Sequence, residues 1–186
     1  MVVGKVFMFK QTALLVNREV EATLIPAGDK VRLQPGTSVY VTQALGNSYT
    51  LYVNGNLVRI AGKDGDALGL VILENPDVNA MEGSVEEKIW LQLRTCFDPE
   101  IPVNIVELGL VYQCEVLPLG KNDFHVDVVM TLTAPACGMG PVLVQEVEEK
   151  IREIHGVIEV KVELVFDPPW DRGMMSDEAK LQLGLM

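Results

Sequence analysis

The chain of 186 residues has few of the side chains from which metal and thiol sites are usually built. Its three cysteines are Cys96, Cys114 and Cys137, and it has two histidines, His125 and His155. The odd cysteine count and wide spacing predict no disulfide framework and a reducing, cytoplasmic compartment. Because the chain contains no C-x-x-C pair and its histidines lack ligand spacing, a metal site closed within one chain is not predicted.

Long apolar runs are also missing. No stretch approaches the roughly 20 consecutive apolar residues that span a bilayer. Gly4 and Lys5 interrupt the apolar N-terminus too early for a secretory signal. The hydrophobic content of 48% and charged content of 22% are those of a globular protein. We therefore expect a cytoplasmic protein without a membrane partner.

Basic side chains are scarce in the second half of the chain. Residues 1–80 carry seven basic and seven acidic side chains, for a net charge of zero. Residues 81–186 carry eight basic and nineteen acidic ones, a net of −11, which is the charge of the whole chain. An acidic surface repels phosphate backbones, so we expect no nucleic-acid partner. The excess suits a basic protein partner, or solubility alone.

Turn residues divide the first part of the chain into short apolar runs. Asn54-Gly55 between two such runs is typical of a β-hairpin, because a type I′ turn needs positive φ at both central residues. Closely spaced strands over residues 26–61 predict a small all-β barrel or sandwich, within an N-terminal β-rich domain of residues 1–75.

A second domain is predicted over residues 82–186. Ser84 and Glu87 form a capping-box pattern that begins a helix, and Asp98-Pro99 ends it. The later elements are strands over 108–117, 124–133 and 158–166, and helices over 141–156 and 176–183. Apolar residues alternate along the second and third of these strands, which predicts one buried face on each: Phe124, Val126, Val128, Met130 and Leu132, and then Ile158, Val160, Val162, Leu164 and Phe166. The order helix, strand, strand, helix, strand, helix predicts a two-layer α/β domain with helices packed on a three-stranded sheet. The whole chain is therefore assigned to the α+β class.

Cys137 lies in the most informative stretch, Thr133-Ala-Pro-Ala-Cys-Gly-Met-Gly-Pro141, between a predicted strand and helix. The positive end of a helix favours a thiolate, which predicts a reactive or metal-binding sulfur. A metal ligand, a nucleophile and a buried packing residue are the alternatives. His125 and His155 fall at the far ends of the adjoining strand and helix, each about 20 Å or more away. We therefore predict no Cys–His catalysis and no enzymatic activity.

Carboxylates occur in the proline-containing loops of the same domain. Asp98 and Glu100 belong to residues 98–104, Glu107 follows shortly after, and a third proline loop covers residues 167–171. Carboxylates bind iron as hard oxygen ligands or orient a thiol. Glu100 is better interpreted as an exposed loop charge than as a ligand. For Asp98 and Glu107, an exposed charge and a role in binding iron or orienting the thiol are comparable interpretations.

Four motifs, in this order, resemble the SufT and PaaD group of iron–sulfur assembly proteins. They are Asp98-Pro-Glu-Ile-Pro-Val-Asn-Ile105, Glu107-Leu-Gly-Leu-Val-Tyr112, Thr131-Leu-Thr-Ala-Pro-Ala-Cys137, and Asp167-Pro-Pro-Trp170 with Met175-Ser176. The resemblance covers roughly residues 84–184. The N-terminal half is similar to the β-rich region that SufT-type members carry and PaaD-type members lack.

The resemblance implies an auxiliary factor in iron–sulfur cluster assembly or transfer that matures client proteins. The motif cysteine falls on Cys137, as the metal ligand, while Asp98 and Glu107 shape or charge the pocket. One thiol per chain implies a labile cluster, shared between subunits or with a partner. Assembly or client proteins are the implied partners, and a homodimer is compatible with this. A metal-free interaction adaptor and a thiol-dependent enzyme stay open as alternatives.

Overall fold

The computed structural model describes residues 12–74, 77–135 and 137–185. The chain divides into two compact units, Met1–Asn75 and Pro76–Met186. Each unit has its own hydrophobic core. An antiparallel sheet comes first and an α/β domain follows, which confirms the predicted α+β class. None of the described helices is long and apolar enough to cross a membrane.

The described part of the N-terminal unit contains six strands that pair antiparallel in one sheet, in the order β1-β4-β5-β6-β2-β3. The strands are β1 (Leu14–Leu15), β2 (Val20–Ile25), β3 (Lys30–Leu33), β4 (Ser38–Leu45), β5 (Ser48–Val53) and β6 (Asn56–Ala61). A 3₁₀ helix, Gly62–Leu68, follows β6. Val39, Leu51 and Ile60 lie fully buried at the centre of this unit's core.

The hairpin between β5 and β6 forms where the sequence predicts it. Asn54 and Gly55 have φ values of 49° and 85°, the two positive values that a type I′ turn requires. Val53 and Asn56 pair directly across the turn. The prediction is confirmed.

The C-terminal unit has the predicted order of elements. They are α1 (Val85–Leu93), β7 (Val111–Pro118), β8 (Phe124–Met130), α2 (Gly140–Arg152), β9 (Val157–Leu164) and α3 (Asp177–Gln182). The central strand β8 pairs antiparallel with β7 and parallel with β9. Helix α2 is therefore the crossover of a β-α-β unit, and the loop that precedes it leaves the sheet at the end of β8.

Buried apolar residues alternate along β8 as predicted, whereas the buried positions of β9 depart from the predicted alternation at its start. Val126, Val128 and Met130 are buried. On β9, Ile158 was predicted on the buried face but is 61% exposed. The register between β8 and β9 shifts at this point, so that Val157 takes the inward position instead.

Helix α1 begins at the predicted capping box and ends earlier than predicted. Glu87 N–H donates to Ser84 Oγ at 3.2 Å, and Ser84 N–H donates to Glu87 Oε2 at 2.7 Å. The helix stops at Leu93 rather than at Asp98-Pro99. Beyond it the chain turns, and Phe97 forms an isolated antiparallel bridge with Asn104. This bridge closes the loop that carries Asp98.

Lys150 fixes α2 to the end of α1. Its side chain is buried, and Nζ donates to the Thr95 carbonyl at 2.8 Å and to Thr95 Oγ1 at 2.9 Å. Glu146 Oε1 lies 2.9 Å from the same Nζ and supplies the opposite charge. A buried ammonium group is tolerated only when it is paired in this way. The contact fixes the helix that follows the cysteine loop.

Candidate functional site

Asp98 organises the first proline loop through its carboxylate. Oδ1 accepts hydrogen bonds from the backbone N–H groups of Glu100 at 2.9 Å and Ile101 at 2.8 Å. Only 5% of the residue is exposed. Burial raises the pKa of this carboxyl, and the hydrogen bonds from Ile101, Glu100 and Thr133 act in the opposite direction. Asp98 is therefore a buried acid in a fixed orientation.

Thr133 joins this loop to the cysteine loop. Its Oγ1 donates to the second oxygen of Asp98, Oδ2, at 3.3 Å. Beyond Thr133 the backbone makes two successive turns, in which Cys137 N–H donates to the Ala134 carbonyl and Gly140 N–H to the Cys137 carbonyl, both at 3.2 Å. These turns place Cys137 immediately before α2.

Cys137 is a half-buried thiol packed against the core of the C-terminal unit. Burial raises its pKa, the backbone N–H of Met139 lowers it, and the carboxylates of Glu100 and Asp98 raise it further. The prediction that this position favours a thiolate is therefore wrong. Helix α2 begins at Gly140, three residues after Cys137, so the sulfur lies outside its first turn. Burial therefore determines the direction of the shift in the thiol pKa.

Glu107 makes different contacts from Asp98. Its carboxylate lies 3.5 Å from Arg94 Nε and is 22% exposed. Its backbone N–H donates to Asn104 Oδ1 at 2.9 Å, and its carbonyl accepts from Ser176 N–H at 2.9 Å. Asp98 is thus joined through Thr133 to the loop of Cys137, whereas Glu107 pairs with Arg94.

One influence on the site was not identified from the sequence. Glu100 is exposed, as the sequence analysis favoured, and its carboxylate also raises the pKa of the Cys137 thiol. Its position two residues after Asp98, in a turn closed by that side chain, was the available signal.

The third proline loop supports the chain around Glu107. Trp170 Nε1 donates to the Leu108 carbonyl at 2.8 Å, and Tyr112 OH donates to the Pro168 carbonyl at 2.8 Å. Gly109 has φ +72°, and a Cβ there would collide with the carbonyl oxygen of Met174. These contacts give this loop and the Glu-Leu-Gly motif a structural role.

The donor set around Cys137 is incomplete for a metal ion. Among residues 12–74, 77–135 and 137–185, no group of three or more histidine, cysteine or acidic side chains is arranged to hold one. Cys137 supplies a sulfur, and Asp98 and Glu100 supply oxygens, which are chemically suitable donors for iron. The His125 ring lies between Asp127 and Glu159, each at 3.0 Å.

Comparison with known proteins finds similarity over the region that contains Asp98 and Cys137. Residues 86–163 match the family described as "Iron-sulfur cluster assembly protein". The chain is 46% identical over 101 residues to a protein of Porphyromonas gingivalis named Fe-S protein maturation auxiliary factor, covering 54% of this chain and 92% of that protein. It is 37% identical over 105 residues to a Bacillus subtilis protein of the same description, covering 56% of this chain and 99% of the relative.

Among solved structures, the chain is similar to a conserved hypothetical protein from Thermotoga maritima. The sequence identity is 35% and the TM-score is 0.46, and the alignment covers 56% of this chain and 98% of the other.

Proposed function

The chain belongs to the iron–sulfur cluster assembly protein family, and on this premise we propose that it matures client iron–sulfur proteins through Cys137. Its role is that of an auxiliary factor in iron–sulfur protein maturation, as its relatives are named. In the proposal, the Cys137 sulfur binds the iron of a cluster that is cargo in transit. Assembly or client proteins supply the remaining ligands. The process needs no catalytic turnover and takes place in the cytoplasm.

One observation carries the proposal: the hydrogen bond from Thr133 to Asp98 joins the loop that carries Asp98 and Glu100 to the loop of the half-buried Cys137 thiol, within the family-matched region. The carboxylates of Glu100 and Asp98 raise the pKa of that thiol. Negative charge beside a thiol disfavours its ionisation but attracts a cation. Iron therefore finds a local negative potential at Cys137, and its arrival replaces the proton on the sulfur. Thr133 holds Asp98 in place for this role.

The raised pKa of Cys137 has a consequence for the strength of binding. A cysteine must lose its proton to bind a metal, so a raised thiol pKa weakens binding at neutral pH and makes it pH-dependent. Weak binding suits a protein that must release its cargo to a client. The same property argues against the thiol-dependent enzyme, which would need a thiol pKa below about 8.5.

A metal-free adaptor is the second candidate function. The observation that favours it is the raised pKa of Cys137, because a protonated sulfur is not a metal ligand. In this alternative, Cys137 packs against the core and the acidic surface of the unit binds a basic partner. The adaptor predicts that Cys137→Ser keeps full cellular function.

A complementation experiment separates the two functions. Cells that lack this protein receive the parent, Cys137→Ser or Cys114→Ser, and the activities of their iron–sulfur enzymes are measured together with the level of each variant. Cys114 is the matched control, since it is also partly buried and burial raises its pKa to about 11.

Loss of client activity with Cys137→Ser but not with Cys114→Ser, at equal protein levels, is the expected result. Full activity with both variants contradicts a role for the Cys137 sulfur and favours the adaptor.

A further inference from the structure

The N-terminal unit contains a polar cleft at the place where strands β2 and β6 separate. The two strands pair over three residues, from Ile25 with Leu57 to Thr23 with Arg59. Beyond Thr23, the pairings among the described residues join β2 to β3 and β6 to β5. A cleft of about 420 Å³ opens there, lined by residues of β2, β3, β6 and the 3₁₀ helix. This volume lies within the range of about 300–1,000 Å³ that is usual for small-molecule sites.

Thr23 supplies a buried hydroxyl group to this cleft. The residue is 5% exposed and belongs to the lining. Its hydroxyl makes no hydrogen bond within the described part of the chain. Buried hydroxyl groups normally have a hydrogen-bond partner, because a missing partner costs free energy. A polar ligand in the cleft would supply that partner.

Cations outnumber carboxylates among the side chains that line the cleft. Four are basic and three are acidic, which gives the lining a net charge of +1. They are Arg18, Lys30, Arg59 and Lys63, and Glu19, Glu21 and Asp64. A concave site with an excess of one sign of charge attracts ligands of the opposite sign. The lining therefore favours an anion.

Ion pairs within the unit leave this excess available to a ligand. Each of the three carboxylates lies 2.9 to 3.3 Å from a cationic nitrogen. The pairs are Asp64 with Arg18, Glu21 with Lys30 and Glu19 with Arg32. Lys63 is exposed and makes no ion pair with a described residue. Its ammonium group can therefore bind an anion without giving up an existing partner.

We propose that this cleft binds a small phosphate-bearing ligand, with the phosphoryl group between Thr23, Arg59 and Lys63. Phosphoryl oxygens accept hydrogen bonds from hydroxyl, guanidinium and ammonium groups, and those from charged donors are the stronger ones. This chemistry is common to inorganic phosphate and to a phosphorylated metabolite such as a sugar phosphate. In the second case, the carboxylates of the lining are acceptors for the hydroxyl groups of the sugar.

The cleft lies outside residues 86–163, the region that matches the family. Binding there needs neither iron nor Cys137. The proposal therefore goes beyond the proposed function, and its failure would leave that function untouched.

The test is an NMR titration of the full chain in a low-salt buffer, first with inorganic phosphate and then with ribose 5-phosphate. The amide signals of Thr23, Arg59 and Lys63 are expected to shift and to saturate at concentrations on the order of millimolar. Added sodium chloride is expected to weaken binding, because it screens the cations of the cleft. Tighter binding of ribose 5-phosphate would identify a phosphorylated metabolite as the ligand, whereas equal or tighter binding of phosphate would identify the inorganic ion.

Two variants and two matched controls locate the site. Lys63→Gln is expected to weaken binding by about tenfold and Thr23→Val by about fivefold. Thr50→Val is the control for Thr23, because Thr50 also lies opposite Arg59 but does not line the cleft. Lys121→Gln removes the same charge from an exposed position of the other unit. Both controls are expected to bind as the parent does, and the NMR spectrum of each variant shows whether it is folded.

Three results would overturn the proposal. The first is the absence of saturable shifts with either ligand at about 10 mM. The second is a set of shifts that lies away from β2, β6 and the 3₁₀ helix. The third is binding that folded Lys63→Gln and Thr23→Val retain at the parental strength, or that the two controls weaken to the same extent.

Discussion

Thr133 donates a hydrogen bond to Asp98 across 3.3 Å and thereby joins the two loops that surround Cys137. Asp98 uses its other carboxylate oxygen to accept from Glu100 and Ile101. A single buried carboxyl thus sets the position of Glu100 in one loop and of Thr133 in the other. The electrostatic environment of the thiol depends on this arrangement.

The pKa of Cys137 should respond to the charge of Glu100. Glu100→Gln removes a negative charge that disfavours the thiolate, so we expect the pKa of the thiol to fall and its alkylation at neutral pH to become faster. The measurement is the pH dependence of iodoacetamide labelling, followed by mass spectrometry of the peptide that contains Cys137. Glu107→Gln is the control, because that carboxylate pairs with Arg94. Equal effects of the two variants would contradict the assigned geometry.

The buried, charged carboxylate of Asp98 should lower the free energy of unfolding at neutral pH. Its pKa is raised in the folded protein, so its contribution is most favourable below the unfolded pKa of about 3.9 and is lost as pH rises through the folded pKa. Asp98→Asn keeps an oxygen that accepts from Glu100 and Ile101 but removes the buried charge.

We therefore expect Asp98→Asn to be more stable than the parent in urea unfolding at pH 7, with the difference shrinking towards pH 4. A variant that is less stable at pH 7 would show that the charged hydrogen bonds outweigh the desolvation of Asp98.

Gly109 should not tolerate a side chain. Its φ of +72° strains any other residue, and a Cβ would meet the Met174 carbonyl. Gly109→Ala is expected to lower the free energy of unfolding by more than about 1 kcal/mol. Gly184 has φ +69° with open space around it, so Gly184→Ala reports the backbone strain alone. Denaturant unfolding of both variants measures the difference, and similar losses would argue against the close contact with Met174.

His125 should titrate above its ordinary pKa of about 6.5. Asp127 raises the pKa most, and Glu159 adds to the effect. The imidazolium contribution to stability is therefore present below about pH 6.5 and is lost as pH rises through the raised pKa. In an NMR titration, Asp127→Asn should lower the pKa of His125 more than Glu159→Gln does. The reverse order would contradict the geometry of this ion pair.

Patterns of local origin were predictable from the sequence. The capping box at Ser84, the hairpin at Asn54-Gly55 and the alternation of β8 each depend on residues close together in the chain, and all three are confirmed. The end of α1 was not predictable in this way. Beyond Leu93 the chain turns and Phe97 bridges to Asn104, a pairing across the proline loop that helical periodicity does not reveal.

The candidate site was predictable in its residues but not in its electrostatics. Cys137 and Asp98 stand out in the sequence, and the structure joins their two loops through Thr133. The sign of the thiol pKa shift depends on burial and on where α2 begins, neither of which the motif reveals. Asp98 Oδ1 accepts from Glu100 N–H and so fixes the turn that carries Glu100, a contact that the sequence does not reveal.

Anaerobic reconstitution with iron and sulfide tests the central claim most directly. The parent, Cys137→Ser and Cys114→Ser are treated in parallel, and bound iron and sulfide are quantified beside the absorption spectrum. The account predicts a cluster in the parent and in Cys114→Ser, with none in Cys137→Ser. Equal iron and sulfide in all three proteins, or none in any of them, would contradict Cys137 as the residue that binds the cluster.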